Sequence, residues 1–369
     1  MIEILKNLIN IKSIDWKEEE KKKICDYVCS LFENNWFFIE KFENNWIYSI
    51  IISSKWWKDL DFLFCWHLDV VDADEETWEF YEDEDFFYWR WSLDMKWNCA
   101  VMINSFLDNK EKIINCDKNF ALMFTTDEEI WSNLGVNYLI NKIWFKANMV
   151  YIPDTWAWMN KYLKEWKWFI FSEININWTE SHGCRPWRWK SVLDTFIDFY
   201  EQLYKTFPKA SWDEDGWLST SANIWIINWW DAFNKVMGNL NFKLDIRFNP
   251  NNSIDEIEQK LNSLVSKFDN IEFNIIQKFS WFVVDENSEY IKKYLDIIKE
   301  YYQEEIKDEK EFWSNDGRFF VPLTNNIIMT GALGYWYHSK WEKVYKKELF
   351  DFKIILDKYL IELIYSEKN

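Results

Sequence analysis

A chain of 369 residues, 49% of them apolar, exceeds one compact core of ordinary size, so two domains are expected. A net charge of −19, from 43 basic and 62 acidic residues, argues against a nucleic-acid partner, whose backbone needs a basic face, and implies an acidic surface. No apolar run reaches the length of a membrane span, and Met1-Ile2-Glu3-Ile4-Leu5-Lys6 lacks the basic-then-apolar pattern of a signal peptide, so a soluble cytoplasmic protein is expected.

Helical periodicity opens the chain at 1–11 and 17–34, and strand-like runs follow at 37–42, 46–53 and 61–66. Residues 94–108 read as a helix, 119–126 as a buried strand, 132–143 as a helix and 147–152 as a strand. Helices alternating with buried strands predict an α/β domain whose sheet is covered on both faces. From about 168 the rhythm changes: strand 169–177, helix 188–205, strands 221–228 and 239–248, helix 253–267, strand 271–279. That β-α-β-β-α-β order is a ferredoxin-like α+β unit. Long helices return at 286–303 and 347–365, around a short strand at 326–330. The simplest architecture is a catalytic domain with a central mixed sheet, formed by 1–168 and 281–369 and interrupted by a smaller inserted domain at 169–280. Six cysteines, at 25, 29, 65, 99, 116 and 184, form no C-x-x-C pair and are expected as reduced core thiols.

The composition holds one anomaly: 28 Trp against 7 Gly. Gly normally makes up about 7% of a chain and Trp is rare. Trp89-Arg90-Trp91, Trp156-Ala157-Trp158, Trp166-Lys167-Trp168 and Trp229-Trp230 fall where turns and loop ends favour glycine. The expectation is that most of these positions are glycine in the organism, whose gene would use UGA for Gly while a standard translation writes Trp. The alternative is a genuinely Trp-rich protein. The intact mass of natively expressed protein separates the two.

The three histidines lie among polar, turn-like residues. His67 ends an apolar strand in Phe64-Cys65-Trp66-His67-Leu68-Asp69, where His67 and Asp69 point the same way. A carboxylate so placed can fix the tautomer of a metal-bound imidazole, although such a pair alone is ordinary at a strand end. Asp94 precedes a helix, where a carboxylate often serves only as a cap. Asp127-Glu128-Glu129 follows a buried strand; three adjacent acids there are costly without a cation, and ligands collect at the carboxyl ends of strands in open α/β sheets. Asp154 ends the next strand in the same sense, and His338 stands in Tyr337-His338-Ser339-Lys340.

With glycine read for tryptophan, the ordered segments become G-H-L-D-V-V, Y-G-R-G-S-L-D-M-K-G, T-T-D-E-E-I-G, I-P-D-T-G, E-S-H-G-C-R-P, G-S-N-D-G-R-F and Y-H-S-K-G-E-K-V. Together they resemble the acetylornithine deacetylase / succinyl-diaminopimelate desuccinylase family, which also includes carboxypeptidases and dipeptidases, over essentially the whole chain. The resemblance implies a dinuclear zinc amidohydrolase, with cobalt or manganese also compatible with the ligand types. It implies that His67 and Asp154 bind one ion, Glu129 and His338 the other, and that Asp94 bridges them. Asp69 would orient His67, and Glu128 would be the general base. His182, from the inserted domain, would stabilise the oxyanion in a partner subunit, making that domain a lid and dimerisation module of a homodimer. Asn234, Arg247, Ser314, Asn315 and Arg318 match positions that contact substrate. For Arg247, Asn234 and Arg318 the residues alone are equally consistent with salt bridges or turn structure.

The expected substrate is an N-acyl amino acid, or alternatively a short peptide as for a dipeptidase or carboxypeptidase. If Trp66, Trp91, Trp97 and Trp131 are genuine, their rings would crowd the cleft and an inactive, binding-only relative is the rival reading. A serine or cysteine hydrolase is disfavoured: no G-x-S-x-G elbow occurs, and the adjacency of Cys184 to His182 in sequence is not a catalytic geometry.

Overall fold

The protein is described from a computed structural model covering all residues except 74–79, 90–91, 156–158, 210–215, 217–218, 229–233, 250, 280–281, 313–314, 332–333, 337 and 367–369. Two compact units divide the chain: Met1–Lys164 with Val283–Lys310 and Asn315–Asn369, and Glu165–Phe282 with Glu311–Ser314.

The first unit is α/β and is built on a six-stranded mixed sheet. In spatial order its strands are Phe38–Asn44, Ile47–Ser53, Phe120–Thr125, Asp59–His67, Lys146–Ile152 and Ile327–Met329. The first three are antiparallel to one another in turn, and the last four run parallel. Every residue of Phe120–Thr125 is buried, as a strand covered on both faces requires. The helix Trp97–Asp108 packs with Lys346–Tyr365, which in turn packs with Glu289–Tyr302. No described helix is long and apolar enough to cross a membrane.

The second unit is a four-stranded antiparallel sheet in the order Ser221–Asn228, Asn239–Phe248, Trp168–Asn177, Ile271–Phe279. With helices Val192–Thr206 and Ile254–Val265 inserted in sequence, this is the ferredoxin-like arrangement. Its core follows from alternation. Leu240, Phe242, Leu244, Ile246 and Phe248 point inward from one strand and meet Val192, Phe199, Leu203, Ile257, Leu261 and Leu264 of the helices. Both helices begin at reciprocal capping boxes, Ser191 with Asp194 and Ser253 with Glu256.

Several elements depart from the periodicity. The helix expected over 94–108 starts at Trp97, because Ser92–Lys96 contains non-helical turns at Asp94 and Met95. The helix expected over 132–143 shrinks to Val136–Asn141, since the Leu134 and Gly135 amides donate to the Asp127 carboxylate at 2.9 and 2.8 Å. The short strands Phe86–Tyr88 and Lys343–Tyr345, which pair antiparallel, carry too few residues to show a pattern. Trp166 and Trp168 lie in strands rather than at a turn. Cys184 is exposed and Cys116 half-buried, so only four of the cysteines are core thiols.

Among the described residues, five tryptophans stand out by their backbone conformation. Trp36, Trp46, Trp131, Trp144 and Trp336 all adopt positive φ, between 64° and 86°. A Cβ is disfavoured there by a clash with the neighbouring carbonyl. Buried indoles have a second problem: the Nε1–H groups of Trp66, Trp97 and Trp166 find no hydrogen-bond acceptor.

Candidate metal centre and active site

Three adjacent parallel strands deliver their carboxyl ends to one place. His67 closes its strand opposite Thr125, the last residue of the neighbouring strand, after which come Asp127, Glu128 and Glu129. On the other side, Lys146–Ile152 ends just before Pro153 and Asp154. Two further groups arrive from turns: Asp94, before the helix Trp97–Asp108, and His338, between the strands Gly334–Tyr335 and Lys343–Tyr345.

These side chains form two groups of three. His67, Asp94 and Asp154 each bring one ligand atom within 4.8 Å of the others, and so do Asp94, Glu129 and His338. Asp94 is common to both. Its Oδ1 lies 3.4 Å from His67 Nε2 and its Oδ2 2.9 Å from His338 Nε2, while Glu129 Oε1 is 3.6 Å from His338 Nε2. Glu128 belongs to neither group. Asp69 is buried between the two: its Oδ1 is 3.5 Å from His67 Nδ1, and its Oδ2 accepts the Glu129 amide at 3.0 Å. The His67 Nδ1 also meets the Asp69 carbonyl at 3.0 Å, which fixes the ring and turns Nε2 toward Asp94.

The electrostatics describe a site short of positive charge. Burial pushes Glu128 and Asp154 well above the usual carboxylate range and raises Glu129, with neighbouring acids adding to each shift. Asp94 goes the other way: burial alone would raise it, but His338 and His67 hold it far below. The hydrogen bond to Asp94 and the nearby Glu129 carboxylate lift His338 to about 10. Burial would depress His67, yet Asp69 and Asp94 outweigh it and raise the imidazole. His67 Nε2 and Glu129 Oε1 are buried without a hydrogen bond. Imidazole nitrogens and carboxylate oxygens, crowded and incompletely partnered, are the donor set a divalent transition ion takes, so the residues present fit such an ion.

Buried polar groups behind the ligands hold them in place. Glu342, 1% exposed, accepts the Leu93 and Asp94 amides at 2.8 and 3.2 Å and so shapes the turn carrying Asp94. Asn98 donates to the Pro153 carbonyl at 2.7 Å, and Asn315 donates to the carbonyl of Asp154. Sequence reasoning missed Glu342 and Asn98. Glu342 falls inside the last of the ordered motifs, but a single acid in a turn carries no pattern of its own.

The residues expected at the substrate lie in varied settings. Asn315 and Arg318 are buried, Asn315 against Asp154 and Arg318 with its Nη1 3.8 Å from Glu128 Oε1. Ser314 falls outside the described residues. Within the second unit, Arg247 Nε donates to Asp245 at 2.9 Å, its Nη1 donates to the Phe312 carbonyl, and its guanidinium lies over Phe169 and Phe171. Asn234 is an exposed turn residue whose carbonyl accepts the Gly183 amide. His182 is exposed, and its Nδ1 accepts the Cys184 amide at 3.1 Å.

Comparison with known proteins identifies the family. Residues 63–360 match the model of Peptidase family M20/M25/M40. A succinyl-diaminopimelate desuccinylase of Blochmanniella pennsylvanica is 23% identical over 323 residues, covering 82% of this chain and 81% of the relative. An uncharacterized metallohydrolase of Methanocaldococcus jannaschii is 24% identical over 318 residues, covering 76% and 77%. Among solved structures, an M20 family metallo-carboxypeptidase from Sulfolobus solfataricus superposes with a TM-score of 0.78 at 15% identity, covering 99% of both chains. The chain thus belongs to peptidase family M20/M25/M40 and is a metal-dependent hydrolase of amide bonds.

Proposed function

We propose that the protein is a dinuclear zinc amidohydrolase that removes the acyl group of an N-acyl amino acid, with Glu128 as general base. The observation that carries this reading is the pair of three-ligand groups sharing Asp94, with one further carboxylate, Glu128, left outside both. His67 and Asp154 would hold one ion, Glu129 and His338 the other, and Asp94 both. Such ions, when bound, polarise the amide carbonyl and acidify water. Glu128 takes a proton from the attacking water and passes it to the leaving amine. Asp69 keeps His67 oriented through Nδ1. In this reading the inserted unit is a lid and dimerisation module of a cytoplasmic homodimer, His182 donates to the developing oxyanion in the active site of the partner subunit, and Asn234 and Arg247 meet a substrate carboxylate. A relative named as a desuccinylase, similar in sequence over most of both chains, supports an acyl-amino acid as substrate.

The test is a panel of N-acetylornithine, N-succinyl-diaminopimelate and dipeptides, assayed with added zinc and with a chelator. Hydrolysis of an acylated amino acid, abolished by the chelator and untouched by serine or thiol reagents, is expected. Glu128→Gln is expected to keep its metal and lose about 10²- to 10⁴-fold in kcat. Preference for dipeptides would move the assignment to the peptidase branch, and a Glu128→Gln variant at wild-type rate would remove Glu128 as the base.

A further inference from the structure

The base sits on a tight turn with an unusual support. After Glu128 the chain turns through Trp131 and Ser132, both at positive φ, and the Ser132 amide returns to the Asp127 carbonyl at 2.7 Å. The turn is thereby closed on itself, with Glu128 near its start and Ser132 at its end. Both ends meet one side chain: Arg318 Nη1 lies 3.8 Å from Glu128 Oε1, and Nη2 donates to Ser132 Oγ at 3.3 Å. The Ser132 hydroxyl in turn donates to Asp316 Oδ1, two residues before Arg318. Arg318 and Asp316 flank the start of the short helix Gly317–Phe320, and Ser132, Asp316 and Arg318 are all buried, Arg318 only 4% exposed.

A guanidinium so deeply buried offers a substrate little surface. A planar guanidinium presents donors in a rigid fork, so an anchored one fixes the direction from which a carboxylate is held. Glu128 has a long, rotatable side chain and no place in either ligand group, whereas Asp94 is held between two imidazoles and the Glu129 amide is tied to Asp69. Proton transfer depends on such placement, since a displacement of about 1 Å can cost about 10²-fold in rate.

We propose that Arg318 is the positioning residue of Glu128: anchored through Ser132 and Asp316, its guanidinium orients the base carboxylate for proton transfer and does not contact substrate. The inference rests on the reading of Glu128 as general base. Its signature is that Arg318 matters only while residue 128 is a carboxylate.

The experiment uses the full-length zinc-loaded protein and the panel substrate that the wild type turns over fastest. Arg318→Met is expected to keep its zinc content, lower kcat about 10²-fold and change KM less than about threefold, with Arg318→Lys recovering part of the loss. In the Glu128→Gln background the same Arg318→Met change is expected to cost less than about twofold, because two groups acting through one another are not additive. An equal loss in both backgrounds would make Arg318 merely structural. A raised KM at unchanged kcat would make it a substrate contact; either result overturns the proposal. If Arg318→Met does not fold, Ser132→Ala serves instead: it keeps the charge, frees the anchor, and is expected to lower kcat about tenfold with Glu128 present and not in the Glu128→Gln background. Wild-type turnover by Glu128→Gln alone would overturn the underlying reading, and this inference with it. Where that variant is slowed about 10²- to 10⁴-fold, the Arg318 result bears on this inference alone.

Discussion

Trp144 is 70% exposed and sits at φ 66°, on a turn that leads into the strand Lys146–Ile152. Nothing about an indole suits that position. A side chain in the left-handed region costs about 1–2 kcal/mol, and a large exposed ring gains little from burial. Trp144→Gly is therefore expected to raise stability by about 1 kcal/mol, whereas Trp144→Ala keeps the clash and is expected to gain nothing; thermal denaturation compares them. Trp36, Trp46, Trp131 and Trp336 repeat the conformation, and Trp36 is 85% exposed. Trp66, Trp97 and Trp166 add buried Nε1–H groups without acceptors, each at a cost of about 1–3 kcal/mol. Glycine at these positions would relieve both problems at once. The matching prediction is that natively expressed protein has an intact mass below that of the written sequence by one Trp-to-Gly difference per recoded position; a mass equal to the written sequence would reject it.

At the scale of elements, the site depends on turns more than on the strands that deliver them. The turn Ser92–Lys96 takes its shape from Glu342, whose carboxylate accepts two consecutive amides from across the fold. Glu342→Ala frees both amides and lets Asp94, common to both ligand groups, wander. Loss of a group that orients a ligand typically costs about 10- to 100-fold in metal affinity, the size of effect expected here. Competition against a chelator of known affinity measures it, and an unchanged affinity would show that the turn holds its shape unaided. The same logic explains why the helix 132–143 was only partly legible. Its apolar spacing is helical, but Asp127 captures the amides of Leu134 and Gly135, and a carboxylate bond at that point outweighs propensity.

Across the whole molecule, acids outnumber bases, and the candidate metal centre gathers Asp94, Glu129 and Asp154 around two imidazoles. Without an ion, the centre holds protons on its imidazoles. His338 is raised from 6.5 to about 10 by Asp94 and Glu129, and His67 is raised as well. Two consequences follow for pH. An ion must displace those protons, so apparent metal affinity is expected to rise with pH, roughly tenfold per pH unit for each proton displaced. Calorimetry in buffers of different ionisation heat counts the protons, and zero release would contradict the geometry. The second consequence concerns stability. The His338 folded value lies above its unfolded value, so its contribution to the metal-free fold is complete below about 6.5 and is lost as pH rises through about 10. The gap in Tm between metal-loaded and metal-free protein is therefore expected to widen from about pH 6.5 to about pH 9.5.

The α/β class, the ferredoxin-like unit and the identity of most helices and strands were legible in the sequence, because local periodicity records which face of an element is buried. The motif residues His67, Asp94, Glu129, Asp154 and His338 were legible for a related reason: each sits at a strand end or turn that its neighbours announce. Which three gather around each position was implied by the family resemblance but not by local spacing, since the strands ending at His67, Thr125 and Ile152 are neighbours in space but not consecutive in the chain; the groups form only in the tertiary structure. It alone also revealed Glu342 beneath Asp94, 248 residues away, and Arg318 bonded to Ser132 across 186 residues and so set beside Glu128. A hydrogen bond across such a separation leaves no mark on local spacing; it exists only once the sheet has brought its ends together.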